Sequence, residues 1–327
     1  MRRIEAGSYY SYLPEGCKLC RKGAKLVLFV TGLCNNRCFY CPVSKAKFGS
    51  DVIYANEREV KSAKDFLEEA DLMGAEGIAV TGGEPLLKLE RVREFVSIAK
   101  KLDMHVHLYT AIPADEEKLR KLSAVDEIRF HPPELMNPDA YVEPIKTSKK
   151  LGMDAGFEIP AVRFEKRIVE IVNETDAFLN VNQLEVSESN WKHVVERGYR
   201  VKDYYVENQD VVREYEKANK FHYCSARFKD VAQFRRRLIR MAMNHPEFYA
   251  VTRDGTIICC RIEGDLDLAE RILSKWEVEY LRFEEYIETS PDIEVEIREA
   301  LKSEGLKLSL VERYPTSNRL VVELTEI

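Results

Sequence analysis

No stretch of this 327-residue chain approaches the roughly 20 consecutive apolar residues of a membrane-spanning helix. The opening MRRIEAGSYYSYLPEG carries basic residues with no apolar run behind them. Neither a spanning helix nor a secretory leader is expected, and a cytoplasmic location is. Positive charge is not in excess: a net charge of −6 gives no global attraction to nucleic acid or acidic lipid, so such binding would need a local patch. Also missing are a P-loop, a dinucleotide glycine fingerprint, a Ser/His/Asp set, internal repeats and low-complexity tracts. The six histidines are scattered, and only His131, at the end of a predicted strand, draws notice. What remains is globular: 45% hydrophobic and 32% charged residues, in a length that suits one large α/β unit with appendages or two domains.

From residue 25 onward, apolar strands alternate with amphipathic helices. Strands are predicted at 25–32, 76–83, 104–110, 126–131, 153–159 and 177–186. Helices are predicted at 58–73, 89–102, 114–122, 138–151 and 163–174. Six β/α repeats, less the last helix, predict an α/β fold with a parallel sheet, open or curled toward a barrel, and chemistry at the C-terminal strand ends. The alternation stops after residue 190, where a polar, aromatic stretch reads as an insertion. Residues 227–245 then predict a helix with Phe228, Val231, Leu238, Met241 and Ala242 inward and Lys229, Gln233, Arg236, Arg237 and Arg240 outward. Asp254-Gly255 marks a hairpin turn, and the tail from 266 predicts helices and a final hairpin suited to a small α+β cap. The expected divisions are 1–24, 25–190, 191–265 and 266–327.

Cysteine is the informative residue. Residues 34–41 read CNNRCFYC and place Cys34, Cys38 and Cys41 on one short loop. An odd number of thiols cannot pair off, and neighbours this close rarely reach disulfide geometry. Closed zinc sites take four ligands, which leaves a zinc knuckle as the weaker alternative. An iron–sulfur cluster held by three thiolates, with one iron open, suits the spacing best. Just past the second predicted strand, TGGEP supplies Thr81, Gly82, Gly83, Glu84 and Pro85. Its glycines let backbone approach a ligand, and its glutamate can accept from a cation.

Cys34-x3-Cys38-x2-Cys41 with Tyr40 before the last cysteine, followed by TGGEP, resembles the radical SAM superfamily, and in particular archaeal proteins related to the pyruvate formate-lyase activating enzyme branch. The resemblance covers roughly residues 25–190 and implies a partial (β/α)6 barrel. It implies a [4Fe–4S] cluster on Cys34, Cys38 and Cys41, S-adenosylmethionine (SAM) on the open iron, and reductive cleavage to a 5′-deoxyadenosyl radical. An electron donor of the ferredoxin or flavodoxin type is implied as well. Tyr40 would lie by the adenine, and Ile159 in GFEIP loosely matches the family's adenine-binding segment, which here lacks its second glycine. Asn180, Asn182 and Glu185 alternate on the sixth strand and would face the interior, beside SAM or substrate. Many family members carry auxiliary clusters, so Cys17, Cys20, Cys224 and Cys260, or Cys259 in its place, are expected to ligate a second one. Structural zinc and free thiols are the alternatives. The substrate stays open between RNA or a nucleotide, favoured by the arginines of 227–245, and a peptide or partner protein, favoured by the extra cysteines and the cap. A non-enzymatic iron–sulfur or zinc protein that binds RNA is the remaining alternative.

Overall fold

The computed structural model describes residues 1–327. Six strands occupy the expected positions: β1 (Lys25–Phe29), β2 (Gly77–Thr81), β3 (His105–Thr110), β4 (Glu127–Phe130), β5 (Asp154–Pro160) and β6 (Phe178–Asn182). They lie side by side in chain order, each parallel to the next. Their alternation explains the layering. Leu26, Leu28, Ile78, Val80, Val106, Leu108, Ile128, Phe130, Phe157, Ile159, Leu179 and Val181 are all fully buried and form one apolar face. Helices Ala63–Leu72, Leu89–Lys101, Glu116–Lys121, Val142–Lys150 and Lys166–Thr175 connect the strands and bring apolar stripes such as Phe66, Val92, Phe95, Leu119, Ile145 and Ile168.

The other face of the same strands is polar. Lys25, His107, Glu127, Arg129 and Asn180 are buried there. Helix α1 (Glu15–Lys22), in the segment expected as a separate extension, lies on this inner face against β1, β2 and β3. Gly16 permits the approach: a Cβ there would sit 2.4 Å from His107 Nδ1 and 2.8 Å from Arg129 Nη2. The Gly16 N–H donates to Glu127 Oε2 at 3.0 Å.

The structure adds a seventh parallel strand, β7 (Phe221–Cys224), beside β6, in the region read as an insertion. Four residues are too few for a period to show, and His222 and Cys224 share the polar inner face with Asn180 and Asn182, their register partners. Tyr9–Tyr10 adds an antiparallel edge on β7, and the hairpin of Tyr54–Ala55 and Arg58–Glu59 adds the other edge on β1. The sheet is open, since β1 and β7 do not pair.

The helix expected at 227–245 is divided. Ala226–Phe228 is α-helical, Lys229–Phe234 forms a π-helical turn, and Arg235–Met243 resumes the α-helix. The wider turn shifts the register, which corrects the expected faces: Val231 is 46% exposed while Arg237 is buried. Arg235 Nε donates to the Arg253 carbonyl at 2.7 Å, and Arg240 donates to the Met73 and Gly74 carbonyls.

Contacts divide the chain into two compact units, Met1–Asp71 with Ala75–Phe234, and Leu72–Gly74 with Arg235–Ile327. The second holds an antiparallel sheet. Strand β8 (Ala250–Val251) turns through Gly255, at φ +87°, into β9 (Ile257–Glu263). β9 pairs with β11 (Ile287–Thr289) and β12 (Lys307–Arg313), while β10 (Tyr280–Arg282) and β13 (Val321–Glu326) form the edges. Consecutive residues on β9 point to opposite faces. Cys260 therefore packs with Ile262, Leu273, Ile297 and Leu308, and Cys259 with Ala242, Tyr249, Ile257 and Val311.

Candidate active site

The loop after β1 is fastened before its cysteines begin. Val30 N–H donates to the Thr81 carbonyl at 2.9 Å, Gly83 N–H to Thr31 at 2.7 Å and Glu84 N–H to Leu33 at 2.8 Å. The two motifs are thus hydrogen-bonded to each other. A Cβ on Gly82 would lie 2.5 Å from the Thr31 carbonyl oxygen, and one on Gly83 would lie 2.4 Å from that of Leu33. The bare glycines allow the two strand-end loops to touch, a use that the sequence reading had given to a ligand. Farther along, Gly32 exchanges hydrogen bonds with Ser50 and Gly49, so residues 32–50 close into a compact excursion. Asp51 anchors its exit by taking Arg91 at 2.6 Å, Lys88 at 2.7 Å and Thr31 Oγ1 at 3.0 Å. Those partners, Arg91 first, hold the Asp51 carboxyl well below the usual range.

Cys34, Cys38 and Cys41 are all partly exposed and border one cavity of about 310 Å³, within the range of small-ligand sites. Burial pushes each thiol above its ordinary pKa, a trend that a bound cation would reverse. Thr81, Gly82, Gly83, Glu84 and Pro85 line the same cavity, as do Tyr40, His131, Glu158, Asn182, Glu185 and Lys229.

Glu84 is 2% exposed and already bound. It accepts from Leu86 N at 3.0 Å, Thr110 Oγ1 at 2.7 Å and Ala111 N at 2.7 Å. Desolvation outweighs these bonds and raises its pKa. The Ile112 backbone N–H acts on the same carboxylate, so most of its roughly four acceptor directions are engaged. Glu84 therefore ties the end of β2 to the end of β3 while lining the cavity.

Ile159 is fully buried, on the opposite face of β5 from Glu158 and Pro160, so its backbone is what reaches the cavity wall. Glu158, which the sequence reading did not single out, faces the cavity instead. It takes Asn182 Nδ2 at 2.7 Å, Asn180 Nδ2 at 3.1 Å and Arg129 Nη1 at 2.6 Å. Burial alone would raise its pKa, but Arg129, Asn182, Lys25 and Asn180 more than offset this and hold it at about 2. Asn180 itself sits deeper. Its amide donates toward Cys17 Sγ at 3.7 Å, and its carbonyl lies 3.3 Å from His222 Nδ1.

Tyr40 is pinned at both ends. Asn190 Nδ2 donates to its carbonyl at 2.9 Å, and its hydroxyl meets His131 Nε2 at 3.0 Å and the Glu134 N–H at 2.8 Å. At the far side, Lys229 on the π-turn pairs with Glu185 and is the sole Lys or Arg on the cavity wall. No sequence periodicity could have placed it there, because the π-turn overrides the helical one.

The remaining cysteines separate. Cys17 and Cys20 on α1 and Cys224 at the end of β7 are buried in the first unit, close enough that charge on Cys17 or Cys20 would be felt at Cys224. Arg129 Nη2 donates to Cys17 Sγ at 3.3 Å. Cys259 and Cys260 belong to the two apolar clusters of the second unit.

Comparison with known proteins bears on this site. The radical SAM superfamily profile matches residues 28–133, and a domain of unknown function, DUF8061, matches residues 255–327. A Methanocaldococcus jannaschii protein named "Putative glycyl-radical enzyme activating enzyme" is 37% identical over 348 residues, which is 96% of this chain and 92% of that protein. The pyruvate formate-lyase-activating enzyme of Listeria monocytogenes is 27% identical over 134 residues, or 37% of this chain and 51% of that enzyme. Streptococcus suis SuiB bound to S-adenosylmethionine superposes with a TM-score of 0.43 and 15% identity, over 64% of this chain and 52% of that one.

Proposed function

Because this chain belongs to the radical SAM superfamily, we propose that Cys34, Cys38 and Cys41 hold its [4Fe–4S] cluster and that the enzyme activates a partner protein by generating a glycyl radical on it. Held by those thiols, the cluster with SAM and one electron from an external reductant would supply hydrogen-atom abstraction, with methionine released. The observation that carries the reading is the hydrogen-bonded union of the cysteine loop with TGGEP, which brings three thiols and one carboxylate to a single cavity.

The residues divide the work. The three thiols face a common space on a loop whose two ends are fixed, so ligation costs little ordering of the chain. The Glu84 carboxylate at the cavity wall suits the ammonium of SAM, and the wall formed by Tyr40, His131 and the backbone at Ile159 suits its adenine. Asn182, Glu158, Glu185 and Lys229 form the polar remainder, where substrate would enter. Curling of the open sheet into a partial barrel would account for the buried polar inner face beneath this cavity.

A polypeptide substrate is supported by the name of the 37% identical relative. The arginines of 235–240, which had favoured RNA, have partners inside the protein. A second iron–sulfur centre on Cys17, Cys20 and Cys224 is a narrower proposal, supported by their shared burial in the first unit within range of one another's charge, and it requires the three thiols to draw together, since they do not form a ligand group as they stand. The main reading is tested by anaerobic reconstitution with SAM and a reductant: release of 5′-deoxyadenosine and methionine is expected. With a glycyl-radical protein as partner, a protein-based radical signal should appear, and deoxyadenosine release without any such signal would overturn the protein-activating assignment.

A further inference from the structure

Tyr40 has one hydroxyl proton and two acceptors in reach. His131 Nε2 is 3.0 Å from the hydroxyl oxygen, and the Cys38 sulfur is also within hydrogen-bonding reach. The Glu134 N–H donates into the same oxygen at 2.8 Å. Which acceptor receives the proton is decided on the far side of the imidazole. His131 Nδ1 lies 2.9 Å from the Glu158 backbone carbonyl, a group that only accepts, so Nδ1 carries the hydrogen. Desolvation holds the ring below its ordinary pKa, so it is neutral and Nε2 is a bare acceptor. The Tyr40 hydroxyl therefore donates to His131, and the Cys38 sulfur is left without that hydrogen bond.

Hydrogen bonds to cluster sulfurs raise reduction potential, because they favour the more negative reduced state. Delivery of an electron to SAM is favoured by a low one. We propose that His131 is a positioning residue that withholds the Tyr40 proton from the Cys38 sulfur and so keeps the cluster strongly reducing. The proposal rests on Cys38 being a cluster ligand. It assigns the aromatic position before the last cysteine a second duty, since the same hydroxyl would turn to sulfur once the imidazole acceptor is gone.

The test compares reconstituted full-length protein with its His131→Phe, Tyr40→Phe, double and His131→Gln variants in an anaerobic redox titration followed by electron paramagnetic resonance. His131→Phe keeps ring volume and removes the acceptor. Its potential should rise, changing the oxidised-to-reduced ratio about tenfold at a fixed applied potential, which is 59 mV for one electron. Tyr40→Phe should not rise, the double variant should match Tyr40→Phe, and His131→Gln, which keeps one acceptor and one donor, should restore the wild-type value. Resonance Raman in heavy water supplies a second readout: iron–thiolate bands should become isotope-sensitive in His131→Phe only. Equal potentials in His131→Phe and wild type, or parallel shifts in His131→Phe and Tyr40→Phe, would overturn the proposal. If Cys38→Ala instead keeps a fully ligated cluster, the ligand assignment beneath it is what fails.

Discussion

Cys34, Cys38 and Cys41 occupy an environment opposite to that of the other five cysteines. The first three sit on a loop, partly exposed and facing a cavity, with Asn36 N–H at 3.4 Å from Cys34, the Tyr40 hydroxyl and Glu134 N–H near Cys38 and the Val43 N–H near Cys41. The others are buried in elements: Cys17 and Cys20 on α1, Cys224 on β7, Cys259 and Cys260 on β9. Burial pushes Cys17 and Cys259 up to about 12 and Cys260 to about 11. The contrast separates thiols held ready for ligation from thiols that serve packing unless something displaces their surroundings.

Cys38→Ala should break the comparison most severely. Cluster iron and SAM cleavage should both fall to background, read by iron assay and deoxyadenosine release, while Cys259→Ala should leave both intact. A Cys17→Ala/Cys20→Ala protein comes next. A second centre predicts two clusters per chain in the wild type and one in the variant, with SAM cleavage retained. One cluster in both, with no metal lost, would place these thiols with Cys259 and Cys260 as packing groups.

Glu84→Gln should weaken SAM binding roughly tenfold or more with iron retained, as expected for loss of a charge-assisted bond of about 1.5–3 kcal/mol. Equilibrium binding checks it; loss of iron would mean that the tie between β2 and β3 matters more than the charge offered to SAM. Glu158 offers a pH test. Its folded pKa of about 2 lies below the ordinary value of 4.5, so its contribution is fully present above that value and is lost as pH falls toward 2. Urea midpoints should drop more steeply between pH 5 and pH 3 in wild type than in Glu158→Gln. The smallest effect belongs to Cys260→Ala, which should cost on the order of 1 kcal/mol by thermal or urea melts and change neither iron nor SAM binding.

How much of the site is legible in residue order depends on range along the chain. The cysteine spacing and TGGEP are local signals, and both line the cavity. Strand positions were legible because one apolar face repeats every second residue. The polar face of those strands hid Glu158 and Arg129, since an isolated charge in a strand reads equally well as solvated. Helical periodicity through 227–245 points Lys229 outward, and the π-turn that intervenes turns it to the cavity. His131 stood out only as a strand-end histidine, and its partner Tyr40 lies 91 residues away.

The sequence by itself determined the six-strand order, the two motifs at neighbouring strand ends and the family, because each is written in short-range spacing that chain connectivity must respect. Tertiary structure alone decided that the glycines of TGGEP serve loop contact, that Glu84 is mostly committed to holding β2 to β3, and that Tyr40 gives its proton to His131. Each of these depends on where a donor meets an acceptor across the sheet, and hydrogen bonds at about 3 Å are set by packing that residue order does not spell out.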